Sequence, residues 1–228
     1  MTPLPHSQKK AARLRPLVRR TFWNTGQGRF VDAVENGKQS SLAGRHANFF
    51  ALLAGLTTRR QTVSILNGVL LGNGTPGVGT PYMRYFENAA LCKAGRAESM
   101  LESLRAYWGG MLDLGATTFW EGFDPLEHDA QHLAFYGRPF ARSLCHAWAS
   151  GPLQLLSADL VGLKPVAPGW RRLTVQLPKI RLPWICASVP TPHGDIRWEI
   201  EGRRGKIVTP DGKQTDLRGS APMTIDIS

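Results

Sequence analysis

The spacing of hydrophobic residues changes once along this chain, near Gly162, and that change limits the folds available to it. Before this point apolar residues recur three and four positions apart, as on one face of an α-helix, for example at Leu101, Leu104, Tyr107, Trp108 and Met111. This periodicity predicts helices over residues 7–23, 41–55, 59–71, 81–94, 96–113 and 139–161. Glycine-rich loops separate them, so consecutive helices are expected to pair in antiparallel fashion, as in bundles, solenoids and helical toroids.

After Gly162 the chain becomes rich in proline, and short segments of alternating apolar and polar residues replace the helical pattern. The alternation predicts strands over residues 172–177, 196–200, 206–209 and 223–227, with a turn at 210–213. Short strands of this kind build a small β-sandwich. We therefore expect an α-helical domain over residues 1–161, followed by an all-β domain over residues 162–228.

The sequence lacks the segments that would direct it to or across a membrane. No run of apolar residues reaches the roughly 18 that a transmembrane helix needs. The N-terminus also lacks the apolar core of a secretory signal. Three widely spaced cysteines fit a reducing compartment. We predict a cytoplasmic protein that binds no membrane.

The net charge is +11, and part of it is a basic cluster in the first twenty residues, made of Lys9, Lys10, Arg13, Arg15, Arg19 and Arg20. Such a cluster can attract nucleic acid. It is more often the solvated face of a helix, and the apolar face that such a helix needs is supplied by Leu14, Leu17, Val18 and Phe22. No nucleic-acid-binding motif accompanies the charge, so we predict no nucleic-acid partner.

A carboxylate next to an indole marks the segment that is most informative about chemistry. Trp120 and Glu121 follow a predicted helix in a loop, and loops at helix ends commonly hold catalytic groups. His146 comes 25 residues later, on the last predicted helix, where it can face the same pocket. Aromatic rings stack on pyranose faces, and a carboxylate moves a proton or activates water. The pattern is typical of a sugar-cleaving site, although a lone histidine on a helix is also commonly a hydrogen-bonded core residue.

Asp124 and two histidines offer alternative chemistry nearby. Asp124 is a candidate second acid, but Pro125 follows it, which favours a structural role at the start of a turn. His128 and His132 are four residues apart, which is a metal-ligand spacing on a helix. Their surroundings are polar and loop-like, with no cysteine nearby, so we predict neither a metal site nor a cofactor.

Polar residues in the first half of the chain are candidates for the wall of the same pocket. His46 and Asn48 precede an apolar run, and Tyr82 and Arg84 lie at the start of the fourth predicted helix. Each pair either faces a cavity or simply begins its helix. The glycine-rich loop 72–79 looks like a phosphate-binding loop. It lacks the Gly-Lys-Ser/Thr ending and no strand precedes it, so we predict a flexible connection between helices.

Several motifs resemble the bacterial α-L-rhamnosidases of glycoside hydrolase family 78. The segment Gly115–Glu121 is similar to the family's Thr-Thr-x-Trp-Glu motif, and Ser143–His146 is similar to its Ser-x-x-His segment. Other segments fit in the family's order, at residues 45–56, 78–82, 94–96, 167–170 and 188–194. The resemblance covers nearly the whole chain.

This resemblance implies a partial (α/α)6 toroid of paired helices followed by a small β-sandwich. It also implies inverting hydrolysis of terminal α-L-rhamnose, with a rhamnose-containing glycan or glycoside as substrate. Glu121 would then be the general base that activates water. Trp120 would line the sugar pocket and His146 would contact the sugar. Tyr82, Arg84 and His46, the candidates for the pocket wall, are expected to bind the sugar with them.

The family's general acid lies in an acidic motif upstream, for which this sequence holds no counterpart. Asp32 is the only acidic residue before Glu35. The predicted helices are also about half of the twelve in a complete toroid. We therefore expect the chain to correspond to the C-terminal half of a catalytic domain plus the β-domain, with a complementary N-terminal half or a second copy as partner. The alternative is a non-catalytic carbohydrate-binding or partner-completing module.

Overall fold

The fold is that of a computed structural model, which describes residues 5–177, 180, 182–218 and 221–227. The chain divides into two compact units, a helical unit over Met1–Gly151 and a β unit over Pro152–Ser228. The order of helices first and strands second is confirmed, while the predicted domain bounds and the toroidal closure stay predictions. Within the described ranges, no helix combines the length and apolar character needed to cross a membrane.

The predicted helices up to residue 113 are confirmed. They are α1 Pro5–Phe22, α2 Arg45–Leu53, α3 Arg59–Ile65, α4 Pro81–Lys93, α5 Ala97–Leu104 and α6 Gly110–Asp113. A π-helical turn, Leu66–Leu70, extends α3, and a second one, Arg105–Gly109, joins α5 to α6. Thr58 begins α3 with a capping box, in which its hydroxyl and the Gln61 side chain accept each other's backbone N–H groups. Thr80 and Pro81 begin α4, as their order in the sequence predicts.

α4 is central to the helical unit, because it packs against both α2 and α5. The loop 72–79 before α4 is held by Arg45 at the start of α2. The Arg45 guanidinium pairs with Glu87 at 2.5 Å and donates hydrogen bonds to the carbonyl oxygens of Leu70, Gly72 and Thr75. This ion pair of two largely buried side chains therefore ties the glycine-rich connection to the helices on either side.

Two short hairpins lie between α1 and α2, and neither was predicted from the sequence. Their strands are β1 Trp23–Asn24, β2 Arg29–Phe30, β3 Val34–Glu35 and β4 Lys38–Gln39. Asn36 and Gly37 form the turn of the second hairpin with φ of 50° and 76°. Asn-Gly is a strong signal for a two-residue hairpin turn, so this element could have been predicted. The buried Asn48 side chain bonds both backbone groups of Phe30, which gives Asn48 a structural role.

The prediction of a helix over residues 139–161 is wrong over its first half. Residues 139–146 are irregular, Ala147–Ala149 form a 3-10 turn, and helix α7 covers only Gly151–Gln154 before a π-helical turn, Leu155–Leu160. Phe140 has a φ of 56°, which an α-helix does not allow. Backbone groups of this segment bond to residues 119–121 instead of to one another. His146 therefore lies on an extended segment and not on a helix.

The β unit consists of two antiparallel sheets. Its strands are β5 Leu163–Pro165, β6 Arg172–Val175, β7 Trp184–Thr191, β8 Gly194–Glu201, β9 Arg204–Val208, β10 Gln214–Arg218 and β11 Met223–Asp226. One sheet has the order β10-β9-β8-β7 and the other β11-β6-β5. Buried residues from both sheets form one core, in which the Trp198 indole donates to the Val161 carbonyl at 2.9 Å. The four predicted strands are found with shifted ends, and β5, β7 and β10 are additional.

Candidate active site

The two segments that carry the candidate motif run side by side. The Glu121 N–H donates to the Ser143 carbonyl at 2.8 Å, and the His146 N–H donates to the Phe119 carbonyl at 2.7 Å. The Thr118 hydroxyl also donates to the Leu144 carbonyl. These strand-like contacts span more than twenty residues of sequence. They hold the backbones of the Glu121 and His146 segments together, by a local structure different from the predicted helix. A shared site for the two side chains stays a prediction.

The Glu121 carboxylate is largely buried and held by a backbone donor. Its exposed fraction is 9%, and its Oε2 accepts a hydrogen bond from the Ser143 N–H at 3.1 Å. Within the described part of the chain, no arginine or lysine forms an ion pair with it. One carboxylate oxygen is thus fixed in position, and none of the described lysine or arginine side chains pairs with the group. This is a suitable arrangement for a base that takes a proton from water.

A half-exposed aromatic cluster lies beside this segment. The His146 ring is 4.5 Å from the Trp148 ring, and Trp148 stacks on Tyr82 at 5.7 Å with an interplanar angle of 21°. Trp148 and Tyr82 are each 40% exposed. We call these three residues the aromatic cluster. It offers flat apolar surface next to a ring nitrogen, which is the combination that binds a sugar face and one of its hydroxyl groups.

The other predicted sugar-binding residues lie at different depths. Trp120 is only 7% exposed. His46 is exposed and connects to the aromatic cluster through the rings of Phe49, Phe50 and Phe86, each neighbouring pair 4.6–5.3 Å apart. The structure therefore joins Tyr82 to Trp148 directly and to His146 only through Trp148, while His46 reaches the cluster only through the three phenylalanine rings. Roles for Trp120 and His46 in sugar binding stay predictions.

Arg84 packs against a buried tyrosine. Its guanidinium carbon lies 4.2 Å from the centre of the Tyr107 ring. The Tyr107 hydroxyl accepts from the Phe123 N–H at 3.0 Å and donates to the Gly79 carbonyl at 3.2 Å. Burial raises the pKa of Tyr107, and the positive charge of Arg84 partly opposes this shift. Tyr107 thus ties the segment after Glu121 to the loop before α4, and a contact of Arg84 with sugar stays a prediction.

The chain is similar to known proteins in both sequence and fold. Residues 162–210 match a family model described as the bacterial alpha-L-rhamnosidase C-terminal domain. A solved GH78 family rhamnosidase of Bacillus sp. GL1 is 28% identical, with a TM-score of 0.67, over 82% of this chain and 20% of that chain. A rhamnosidase from Klebsiella oxytoca with rhamnose bound is 30% identical, with a TM-score of 0.53, over 65% of this chain and 28% of that chain. No match was found among curated proteins.

This chain resembles the family 78 rhamnosidases. The resemblance inferred from the motifs is confirmed, and it extends over most of the chain. The chain spans about a fifth of the length of the Bacillus rhamnosidase and 28% of the length of the Klebsiella enzyme.

The residues after Glu121 have structural roles in this rhamnosidase-like unit. The Asp124 carboxylate accepts from the Leu126 N–H at 2.9 Å, which supports the turn that Pro125 indicates. His132 is buried and stacks on Phe123 at 5.7 Å, and its Nδ1 lies 3.6 Å from a carboxylate oxygen of Glu127. Among the described residues, no group of three potential ligands lies close enough together to hold a metal ion.

Three residues that shape the site were not assigned roles from sequence. Trp148 presents the exposed indole, and its position two residues after His146 was the available signal. Glu127 and Arg142 form a two-pronged ion pair, with N–O distances of 2.6 and 2.9 Å, that fastens the loop between the two motif segments. Nothing in the local sequence indicates that pair, because its members are 15 residues apart in an irregular loop.

Proposed function

We propose that this chain supplies the water-activating side of an inverting α-L-rhamnosidase-type site, with Glu121 as the general base. The observation that carries the proposal is the pairing of the two motif segments. It holds the Glu121 carboxylate on the Ser143 N–H and places His146 against the half-exposed Trp148. A carboxylate held in position, on a segment paired with the one that carries the aromatic cluster, would supply one of the two carboxyl groups that inverting glycoside hydrolysis uses.

The aromatic cluster is the proposed binding surface for the sugar ring. The stacked rings of Tyr82 and Trp148 offer an apolar face, and the His146 ring can exchange a hydrogen bond with a hydroxyl group. The ligand class is supported by the similar Klebsiella structure, which is described as a rhamnosidase with rhamnose bound. Trp120, Arg84 and His46 are proposed as further parts of this surface.

The reaction needs two proton transfers. Glu121 takes a proton from water as the water oxygen forms its bond to the anomeric carbon, on the face opposite the leaving group. The bond to the leaving oxygen breaks as a general acid protonates that oxygen. Inverting enzymes keep the two carboxyl groups about 6.5–9.5 Å apart to leave room for the water.

The general acid is proposed to come from outside these 228 residues. No acidic motif like that of the family precedes the Trp-Glu segment. Asp124, the nearest candidate within the chain, already accepts a backbone hydrogen bond in its own turn. We propose that a further protein segment or a second chain completes the site.

Hydrolysis of an aryl α-L-rhamnoside tests this function, since a good leaving group needs little help from an acid. We expect slow turnover by the purified chain, and a loss of at least about a hundredfold in Glu121→Gln. Glu98→Gln, at an exposed position of α5, is the matched control and should keep the parental rate. Proton NMR recorded early in the reaction should show that the released rhamnose has the anomeric configuration opposite to that of the substrate. Turnover that survives Glu121→Gln would overturn the role of Glu121.

The alternative is a carbohydrate-binding module without catalysis. The observation that favours it is an intact aromatic cluster in a sequence without the family's acidic motif. Titration with rhamnose, followed by tryptophan fluorescence, separates the two functions. Saturable binding with no hydrolysis of the aryl rhamnoside would support the binding module, whereas hydrolysis that depends on Glu121 would exclude it.

A further inference from the structure

The four-stranded sheet of the β unit carries a concave surface. It lies where β8 turns into β9 and encloses about 550 Å³. Ligand sites in proteins typically enclose about 300–1,000 Å³. This surface belongs to the β unit, while Glu121 and the aromatic cluster belong to the helical unit.

Two rows of side chains form this surface. One row runs across the four strands as Trp184, Glu201, Arg204 and Arg218, and the next as Cys186, Glu199, Lys206 and Asp216. All eight side chains are exposed. Since alternate residues of a strand point to opposite faces, both rows lie on the face opposite to the one that buries Trp198 and Ile207 in the core. We call this surface the sheet groove.

Trp184 is the unusual member of the sheet groove. Its exposed fraction is 70%, although an indole is among the costliest side chains to leave in water. Within the described residues, it makes no ring contact with another aromatic side chain. An exposed indole in a concave polar surface is suited to stack on the apolar face of a sugar ring.

The charges of the sheet groove select against a charged ligand. The carboxylates of Glu199, Glu201 and Asp216 balance the cations of Arg204, Lys206 and Arg218. In the described part of the chain, these six groups form no ion pairs with one another. Asp216 accepts a hydrogen bond from the Gln214 side-chain amide at 3.5 Å, and the other five side chains form no hydrogen bond within the described residues, so their donors and acceptors are open to hydroxyl groups. The balanced charge gives no net attraction for an anion such as a nucleic acid.

We propose that the sheet groove binds a neutral oligosaccharide, with Trp184 stacked on one sugar ring and the flanking carboxylates and guanidinium groups bonded to hydroxyls. Neighbouring hydroxyls on a ring match the two-pronged geometry of a carboxylate or a guanidinium group. The proposal does not depend on catalysis by Glu121, because it rests on the strands of the β unit alone.

The test is a titration of the full chain, labelled with ¹⁵N, by neutral tetrasaccharides of glucose, of galactose and of rhamnose. The indole N–H signal of Trp184 is identified by its loss in Trp184→Phe. We expect at least one neutral tetrasaccharide to shift this signal saturably, and Trp184→Ala to weaken that binding by at least about tenfold. Glu201→Gln should also weaken it, because Glu201 lies opposite Trp184 on the next strand.

Arg197→Ala is the matched control, since Arg197 is exposed on the same sheet but does not line the groove. It should leave the affinity unchanged. Glu121→Gln should also leave it unchanged, so a failure of the proposed hydrolysis does not affect this result. The proposal is overturned if none of the neutral tetrasaccharides shifts the Trp184 signal, if only a sulfated tetrasaccharide does, or if Trp184→Ala keeps the parental affinity.

Discussion

At the scale of single residues, the candidate site depends on groups that are far apart in the sequence. Glu121 is fixed by the backbone of Ser143, and His146 by the backbone of Phe119. The motif predicted that Glu121 and His146 face one pocket; the structure pairs their backbone segments, and a joint role for the two side chains stays a prediction. The exposed indole is, however, that of Trp148, while Trp120 is buried. The sequence could not distinguish these two, because exposure depends on how the irregular segment 139–146 folds back onto the motif.

Replacing Trp148 by alanine tests the aromatic cluster. The substitution removes the ring that stacks on Tyr82 and contacts the His146 ring. We expect the affinity for rhamnose to fall roughly three- to tenfold, the range for loss of one aromatic contact. Because the indole is half-exposed, the free energy of unfolding should change by about 1 kcal/mol or less. Fluorescence titration and urea unfolding measure the two quantities.

The matched control for Trp148→Ala is Tyr136→Ala, which removes another exposed aromatic ring from the helical unit. It should leave the affinity for the monosaccharide unchanged. Equal weakening by both substitutions would contradict a sugar site at the aromatic cluster.

The raised pKa of Tyr107 predicts that the free energy of unfolding depends on pH. Burial raises its pKa in the folded protein above the value near 10 of an exposed tyrosine. Between these two values the unfolded chain loses the phenolic proton and the folded protein keeps it, so the unfolded chain binds fewer protons. Stability due to Tyr107 is therefore full below about pH 10 and declines as the pH rises beyond it. Urea unfolding from pH 8 to pH 11 measures this decline.

In Tyr107→Phe the free energy of unfolding should decline less steeply above pH 10 than in the parent protein. The variant should also be less stable by about 1–3 kcal/mol at neutral pH, because the Phe123 N–H and the Gly79 carbonyl lose their partner. Tyr136→Phe, at a residue that is 82% exposed, is the control and should be close to the parent at neutral pH. A Tyr107→Phe profile parallel to that of the parent would contradict the prediction.

At the scale of elements, the local sequence was sufficient to predict those helices and strands whose stabilising contacts lie within the element itself. The helices that follow Thr58 and Thr80 carry their caps in the sequence. Both helices were predicted, the second of them together with its start at Thr80 and Pro81. The predicted helix 139–161 failed because the backbone of its first half bonds to residues 119–121. Strand β7 was missed because it is an edge strand in which only Val189 is buried, so it lacks the alternation of a half-buried strand.

Alanine substitutions at two adjacent glycines, Gly109 and Gly110, test the contact between α6 and the segment that follows Glu121. A Cβ at Gly110 would lie 2.4 Å from the Phe123 ring, whereas a Cβ at Gly109 would meet nothing within 4 Å. Gly110→Ala should therefore destabilise the protein by about 1–3 kcal/mol and displace Phe123. Gly109→Ala should stabilise it by about 0.5–1 kcal/mol, since alanine favours a helix over glycine. Thermal unfolding of the two variants measures the difference in their stability. Equal effects of the two substitutions would contradict the close contact between Gly110 and the Phe123 ring.

At the scale of the whole molecule, charge and fold class were accessible from composition and periodicity. The basic cluster lies on the exposed helix α1, as its spacing predicts. Leu14 and Leu17 on the same helix are each about half exposed, at 45% and 46%. This apolar surface is consistent with the proposal that a further segment or chain completes the helical unit, because exposed apolar surface commonly marks an interaction site.

The proposed absence of the general acid predicts how hydrolysis depends on the leaving group. Without an acid to protonate the leaving oxygen, the rate should fall steeply as the phenol that leaves becomes less acidic. The measurement is kcat/KM for a series of aryl α-L-rhamnosides whose phenols differ in pKa. With Glu121 as the only catalytic carboxylate, Asp124→Asn should leave both the rates and the slope unchanged, apart from a small loss of stability. A flat dependence that becomes steep in Asp124→Asn would show that Asp124 is the acid, and that the chain carries both halves of the site itself.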